Sequence, residues 1–372
     1  MHAGSLNGDA RAIRGGSAEV RPYVLVALGG VSSIQALSLS TGERARWIAR
    51  PEAEALSPIW IQSGLPIFEI LEVPKNAEES IEQLGTKYKF WFHHPTLGRC
   101  LCKLGRPNTG EDWSEKVAAE FADLIGLPHA RYELGTFDGQ NCVVSPKFVP
   151  STCTLIHGNE LLGETNSSYG IKNVSRYRQT AHTLEAVEDA LVQTACELPL
   201  HWDPIGKLSV PIEVFTGYLL LDAWIGNTDR HHENWAIIEN PEASARRHLA
   251  PTFDRASSLG CHLRDEDRRN RLGTTDAGFT VEAYADRARS ALYRNDSSPR
   301  PMKTMETFEL AAEMWPNAAC AWVDRLSAVR EEQIGIVLEH VPGSRISRDA
   351  VEFARRLLLH NRRRLMAHQS FQ

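Results

Sequence analysis

The chain is expected to fold as an α+β protein of two lobes, a small β-rich one followed by a larger, mostly helical one. Three features of the 372-residue sequence predict this. An alternating strand, Cys100-Leu-Cys-Lys-Leu104, leads shortly into an acidic helix start, Glu111-Asp-Trp-Ser-Glu115. A segment apolar nearly all round, Pro211 to Trp224, delivers the polar loop Gly226-Asn-Thr-Asp-Arg-His-His-Glu-Asn234, and two short apolar runs carry the chain on to Phe253-Asp254. From Met305 to Gln372 the pattern is helical, with breaks near Trp315-Pro316 and Val341-Pro-Gly343. With 42% hydrophobic residues, a chain of this length can bury two sizeable cores.

Residues 1–21 are rich in Gly, Ala, Arg and Ser, too poor in apolar side chains to offset the entropy of ordering. Residues 22–80 are an extension of unassigned role, in which Tyr23 to Leu28 and Ile59 to Ile61 read as strands. The small lobe is expected over 81–150. Within it Gly85 to Phe92 leads to the strand carrying Lys103, and the helix starting at Glu111 stops at Gly126-Leu-Pro128. Arg131 to Phe137 and Asn141 to Phe148 are two strands around the turn pair Asp138-Gly139. Ser145 to Pro150, containing Lys147, Phe148 and Val149, would be the hinge to the large lobe at 151–372.

In the large lobe, Pro211 occupies a plausible first helical position. Trp235 to Ile238 and Leu249 to Phe253 read as a hairpin with Asp254 at its far end. Polar stretches at 240–247, 264–271 and 294–303 read as surface loops.

The loop residues define a chemistry. Asp229 and Asn234 stand five positions apart, and Asp254 follows 25 positions after Asp229. This is the order base, metal ligand, metal ligand used by protein kinases. Phosphoryl transfer needs an acceptor hydroxyl held in line and a divalent metal on the triphosphate. Asp254 and the Asn234 carbonyl are hard oxygen donors suited to Mg2+, and Asp229 can take the acceptor's proton. Lys103, the lone cation of its strand, would hold the nucleotide phosphates and be held in turn by a helix glutamate. Periodicity leaves Glu115 and Glu120 open, since they flank opposite edges of the apolar face Val117, Phe121, Leu124, Ile125. The alternative reading makes Lys103 and both glutamates ordinary solvated side chains.

Asn227-Thr-Asp-Arg-His-His-Glu-Asn234 with Leu249-Ala-Pro-Thr-Phe-Asp254 resembles the catalytic loop and metal-binding segment of HipA-like serine/threonine kinases, N-x-D-x-H-x-x-N followed by L-A-P-x-Y/F-D. The likeness extends from about Gly85 to Gln372 and is most specific between Asn227 and Asp254. It implies a bilobal protein-kinase-like fold, ATP and Mg2+ as cofactors, and phosphorylation of a protein serine or threonine by a toxin-type or regulatory kinase. It also implies a DNA-binding antitoxin partner. Its register places Glu115 opposite Lys103, and Gly85 and Lys89 in the phosphate-binding segment G-x-Q-x-K. Two departures stand out: Glu82-Gln-Leu84 lacks the serines that usually precede the glycine, and Lys87 replaces the glutamine.

A net charge of −6 argues against a protein that coats nucleic acid. Seven cysteines, scattered except for Cys100 and Cys102, form neither a zinc pattern nor an even disulfide framework and favour a reducing compartment. Tyr23 to Leu28 is too short to span a membrane, so cytoplasmic residence is expected. Two rival functions remain. One is a metal-dependent phosphohydrolase using Asp229, His231, His232 and Asp254, which would act without ATP. The other is an inactive kinase-fold binding module, which would not turn nucleotide over.

Overall fold

The computed structural model describes residues 67–82, 87–167, 169–170, 178–242 and 245–367, which belong to one compact unit spanning 47–372. The expected features at residues 1–21, Tyr23 to Leu28, Ile59 to Ile61 and Gly85 lie outside the described residues.

The first lobe is a six-stranded sheet, ordered β1-β5-β6-β4-β3-β2. Its strands are β1 (Ile70–Val73), β2 (Ser80–Ile81), β3 (Lys89–His94), β4 (Gly98–Leu104), β5 (Glu133–Phe137) and β6 (Gln140–Pro146). The sheet thus begins at Ile70, ahead of the boundary expected at residue 81, because β1 pairs in parallel with β5 at its edge. The turn between β5 and β6 is the expected one: Asp138 and Gly139 have φ of 47° and 74°, the left-handed values a two-residue hairpin loop requires. Alternation in β3 and β4 sends Phe90, Phe92, Cys100 and Cys102 into a buried cluster with Val73, Phe137, Cys142 and Val144. The opposite face carries Lys89 and Lys103, which are Cα partners in the register.

Helix α1 (Glu111–Leu124) packs its apolar residues Val117, Phe121 and Ile125 into the main core, with Phe121 meeting Trp224 at 4.9 Å between ring centroids. Trp224 belongs to α4 (Pro211–Ile225), which has proline in its first turn and is buried along nearly its whole length. A helix apolar all round is one enclosed on every side. α4 is wrapped by α7 (Thr304–Met314), α8 (Pro316–Ser327) and α10 (Arg348–Met366), with α9 (Glu331–Glu339) joining the last two. The breaks expected near Pro316 and Pro342 are the junctions α7–α8 and α9–α10. α4 ends at Gly226, φ 66°, a left-handed cap that turns the chain into the polar loop.

A second sheet, β7-β8-β9, follows the loop: β7 (Thr154–His157), β8 (Ala236–Asn240) and β9 (Arg246–Leu249). Two expectations change here. β9 stops at Leu249 rather than running to Phe253, since Pro251 has no N–H to donate. Thr252 instead exchanges backbone bonds with the start of the segment after α1, donating to Pro128 O and accepting from Ala130 N (3.0 and 2.9 Å). The polar stretch 264–271, expected as a loop, lies largely within helix α5 (Asp265–Gly273). Asp265, Glu266 and Asp267 stand in its first turn, where they complement the helix dipole, and buried Arg268 bonds to Asp265 and to Gly260 O (2.7 and 3.0 Å). Of the remaining helices, α2 (Gly158–Thr165) and α3 (Leu184–Gln193) pack on each other and α6 (Val281–Ala285) packs on α10. Among the described residues, no helix is long and apolar enough to cross a membrane, and all seven cysteines are free.

Candidate active site

At Gly226 a left-handed cap ends α4, and one arginine holds the loop that follows. Arg230 is fully buried and forks onto Asp222 of α4, with Nε donating to Oδ2 (2.6 Å) and Nη2 to Oδ1 (2.9 Å). Its Nη2 also donates to Thr252 Oγ1 (3.0 Å), and Nη1 donates to the carbonyl of Asn234. A planar guanidinium suits such a fork. Asp222 further accepts from Asn227 Nδ2 (2.8 Å). One buried ion pair therefore binds together the start of the loop, its end and the segment leading to Asp254.

Asp229 and Asn234 sit on this frame. Asn234 Nδ2 donates to Asp229 O (2.7 Å), which commits the amide nitrogen and leaves the carbonyl oxygen as the donor for a cation. His231 is buried, its Nε2 3.6 Å from Asp229 Oδ1 and its Nδ1 accepting from Glu233 N (3.2 Å). His232 turns away, with Nδ1 2.8 Å from Tyr169 Oη. Among the described residues, no group of three or more His, Cys, Asp or Glu is disposed to hold a metal ion. The four-residue metal set of the phosphohydrolase reading is thus not brought together.

Lys103 connects the lobes. Its Nζ lies 3.2 Å from Glu115 Oε2 and also pairs with Asp254 Oδ1. The other oxygen of Glu115 accepts from Arg255 N (2.6 Å), so this fully buried carboxylate ties the strand lysine to the segment just past Asp254. Glu120 faces elsewhere and pairs with Lys116 (2.7 Å). Further bonds fasten α1 to the same segment: Ser114 Oγ to Ser258 O (3.1 Å), and Gly110 N to Cys261 O (2.9 Å). Asp254 takes a left-handed backbone, φ 54°, and its N–H donates to Tyr132 Oη (3.1 Å). Burial alone would raise its pKa, but the ammonium groups of Lys103, Lys87 and Lys89 hold its carboxyl well below the usual range. Burial likewise works against the charge of Lys103, which Asp254 and Glu115 more than restore. For Lys89 burial wins, and its pKa falls despite Asp254.

The segment read as the hinge runs off the end of β6 (Gln140–Pro146). Lys147 N–H donates to Arg99 O (2.8 Å), extending the β4–β6 pairing, so it is not presented to a ligand. Phe148 stacks on Phe253 at 5.9 Å, and Val149 packs beside them.

The donor set fits a magnesium nucleotide. Mg2+ binds through one or two protein oxygens and completes its shell with phosphates and water, and Asp254 and Asn234 can supply such oxygens. Sequence reasoning missed Asp222 and Arg230 as the frame of the site. The available signal was a charged residue, Asp222, in an otherwise apolar helix segment, followed eight positions later by an arginine inside the loop.

No family model and no curated protein matches the sequence. Among solved structures, the proinflammatory kinase CtkA of Helicobacter pylori superposes with a TM-score of 0.58 at 18% identity, over 80% of this chain and 93% of that one. HipA of Shewanella oneidensis MR-1, solved with HipB and operator DNA, gives 0.49 at 12% identity, over 85% and 68%. The chain accordingly has a protein-kinase-like fold, in which Asp254, at the end of the segment that resembles HipA-like kinases, meets the strand lysine.

Proposed function

We propose that the protein is an ATP- and Mg2+-dependent kinase that transfers the γ-phosphoryl group to a serine or threonine hydroxyl of a protein. The observation that carries this reading is the convergence at Lys103, where the helix carboxylate Glu115 and the Asp254 carboxylate meet one buried amino group from opposite lobes. Bound Mg-ATP supplies the phosphoryl group and the charge neutralisation at its phosphates. Lys103 binds and orients the phosphates, and Glu115 keeps Lys103 aimed. Asn234 and Asp254 hold the cation. Asp229 accepts the hydroxyl proton as the acceptor oxygen bonds to phosphorus and the bond to the bridging oxygen breaks, the electron pair leaving with ADP. The HipA-like resemblance extends the proposal to residence in the cytoplasm and to a DNA-binding antitoxin as partner.

Incubating wild type, Asp229→Asn and Asp254→Asn with labelled ATP and Mg2+ tests the roles. Asp229→Asn is expected to keep ATP binding while phosphotransfer falls by roughly 10²–10⁴. Asp254→Asn is expected to weaken metal-dependent binding itself. Equal loss of ATP binding in both folded variants, or full transfer by Asp229→Asn, overturns the assignment.

A further inference from the structure

Three ammonium groups share the sheet face that looks onto the site. Lys89 and Lys103 are directly opposite in the antiparallel β3–β4 register, and Leu104 N bonds to Tyr88 O (3.1 Å), so the pairing continues toward Lys87. Alternation sends Lys87 to the same side as Lys89. Like charges facing each other across a sheet are destabilising, and Lys89 is also desolvated enough to lose basicity. Such a cluster answers to anions. Among the described residues, the carboxylates of Asp254, Glu115 and Glu111 form ion pairs with it. Lys87 is only 13% exposed and lies 3.0 Å from Glu111 Oε1, lining a small cavity with Lys103, Gly105 and Glu115. An ammonium has three donors, and Glu111 takes one of them.

The strand direction orders these cations. The hinge segment meets the beginning of β4, where Pro146 pairs with Cys100 and Lys147 bonds to Arg99. Lys103 stands four residues along, about 13 Å at roughly 3.3 Å per residue, and the level of Lys87 is about two residues, some 7 Å, beyond it. A nucleotide with its base at the hinge would extend its phosphates along this line.

Resting on the kinase reading above, we infer that Lys87 is a nucleotide-binding residue that grips the terminal phosphoryl group and makes the protein select ATP over ADP. Glu111, buried in the first turn of α1 and shared with Arg106 Nη1 (2.7 Å), accepts from Lys87, and a glutamine there would keep that acceptor oxygen.

The test is equilibrium binding of ADP and of a non-hydrolysable ATP analogue, with Mg2+, to the full chain. Wild type, Lys87→Met, Lys87→Arg and Glu111→Gln are compared, with thermal unfolding to confirm folding. Lys87→Met is expected to lose about tenfold or more in affinity for the ATP analogue, the worth of one charge-assisted hydrogen bond, and less than about threefold for ADP. Lys87→Arg should retain most of the selectivity, and Glu111→Gln should not reproduce the selective loss. Equal losses for both nucleotides, no loss in Lys87→Met, or the same selective loss in Glu111→Gln overturn the inference and leave the kinase reading standing. Failure of wild type to bind either nucleotide overturns both.

Discussion

Removing both members of the Asp222–Arg230 pair should cost the protein less than the two single losses added together. The guanidinium and the carboxylate are buried, bonded twice at 2.6 and 2.9 Å, and Arg230 carries further bonds to Asn234 O and Thr252 Oγ1. Burial opposes the charge of Arg230, and Asp222 restores it. Asp222→Leu leaves a cation enclosed without its counter-charge, a loss of about 3–5 kcal/mol, a large share of a typical stability of roughly 5–15 kcal/mol. Arg230→Met leaves Asp222 buried with the bond from Asn227 Nδ2 but without its counter-charge, at similar cost. The double variant buries neither charge, so its loss should fall short of the sum of the singles by about 2 kcal/mol or more. Urea unfolding at constant m reads the cycle. Phosphotransfer by the folded double variant should still be low, since the arginine fork to Asn234 O and Thr252 is then gone and the bonds of Thr228 to Ser257 O are left to join the loop to the segment past Asp254. Losses additive within about 0.5 kcal/mol, or a double variant with full turnover, would refute the view that this pair frames the site.

The two helix glutamates should behave oppositely. Glu115→Gln removes the charge facing buried Lys103 and should reduce phosphotransfer by about 30-fold or more, whereas Glu120→Gln touches a partly exposed carboxylate whose partner Lys116 keeps Glu133, and should change stability by under about 1 kcal/mol and leave the rate unaltered. A steady-state comparison that ranks them the other way would return the ion-pair position to Glu120. Acid stability should report His182, whose pKa burial depresses to about 3, with His232 adding to the effect. Its folded pKa lies below the ordinary 6.5, so its contribution is complete above that value and is lost as pH falls toward 3, roughly 2 kcal/mol between pH 6.5 and 5. His182→Gln should flatten the pH dependence of the urea midpoint over that window, and an unchanged slope would show that the ring is not held neutral by the fold.

How much the sequence disclosed depended on whether the determinant was local. The α4 helix, the Asp138-Gly139 hairpin, the α1 stop at Gly126 and the breaks at Pro316 and Pro342 were legible because backbone preferences and apolar period act over a few residues. The spacing of Asp229, Asn234 and Asp254 was legible because it lies within one short loop and the segment soon after it. Position along the chain did not disclose β7, which joins its sheet from far upstream, or the end of β9, where Thr252 leaves its strand to pair with the segment after α1. Helix α5 hid behind its polarity, since nothing local shows that Arg268 will be buried.

In the site the division is sharper. The sequence by itself determined which residues could act, since charge, ligand type and spacing belong to side chains and short loops. Only the tertiary structure decided between Glu115 and Glu120, because a 3.6-residue period places both at the edge of one apolar face and only the packing of α1 against β5 and β6 turns Glu115 toward Lys103. It likewise decided that Arg230 and Asp222 frame the loop and that Lys87 joins Lys89 and Lys103. Those relations arise from charges desolvated together by strands and helices distant in the chain, and a buried charge takes the partner that the fold brings to it.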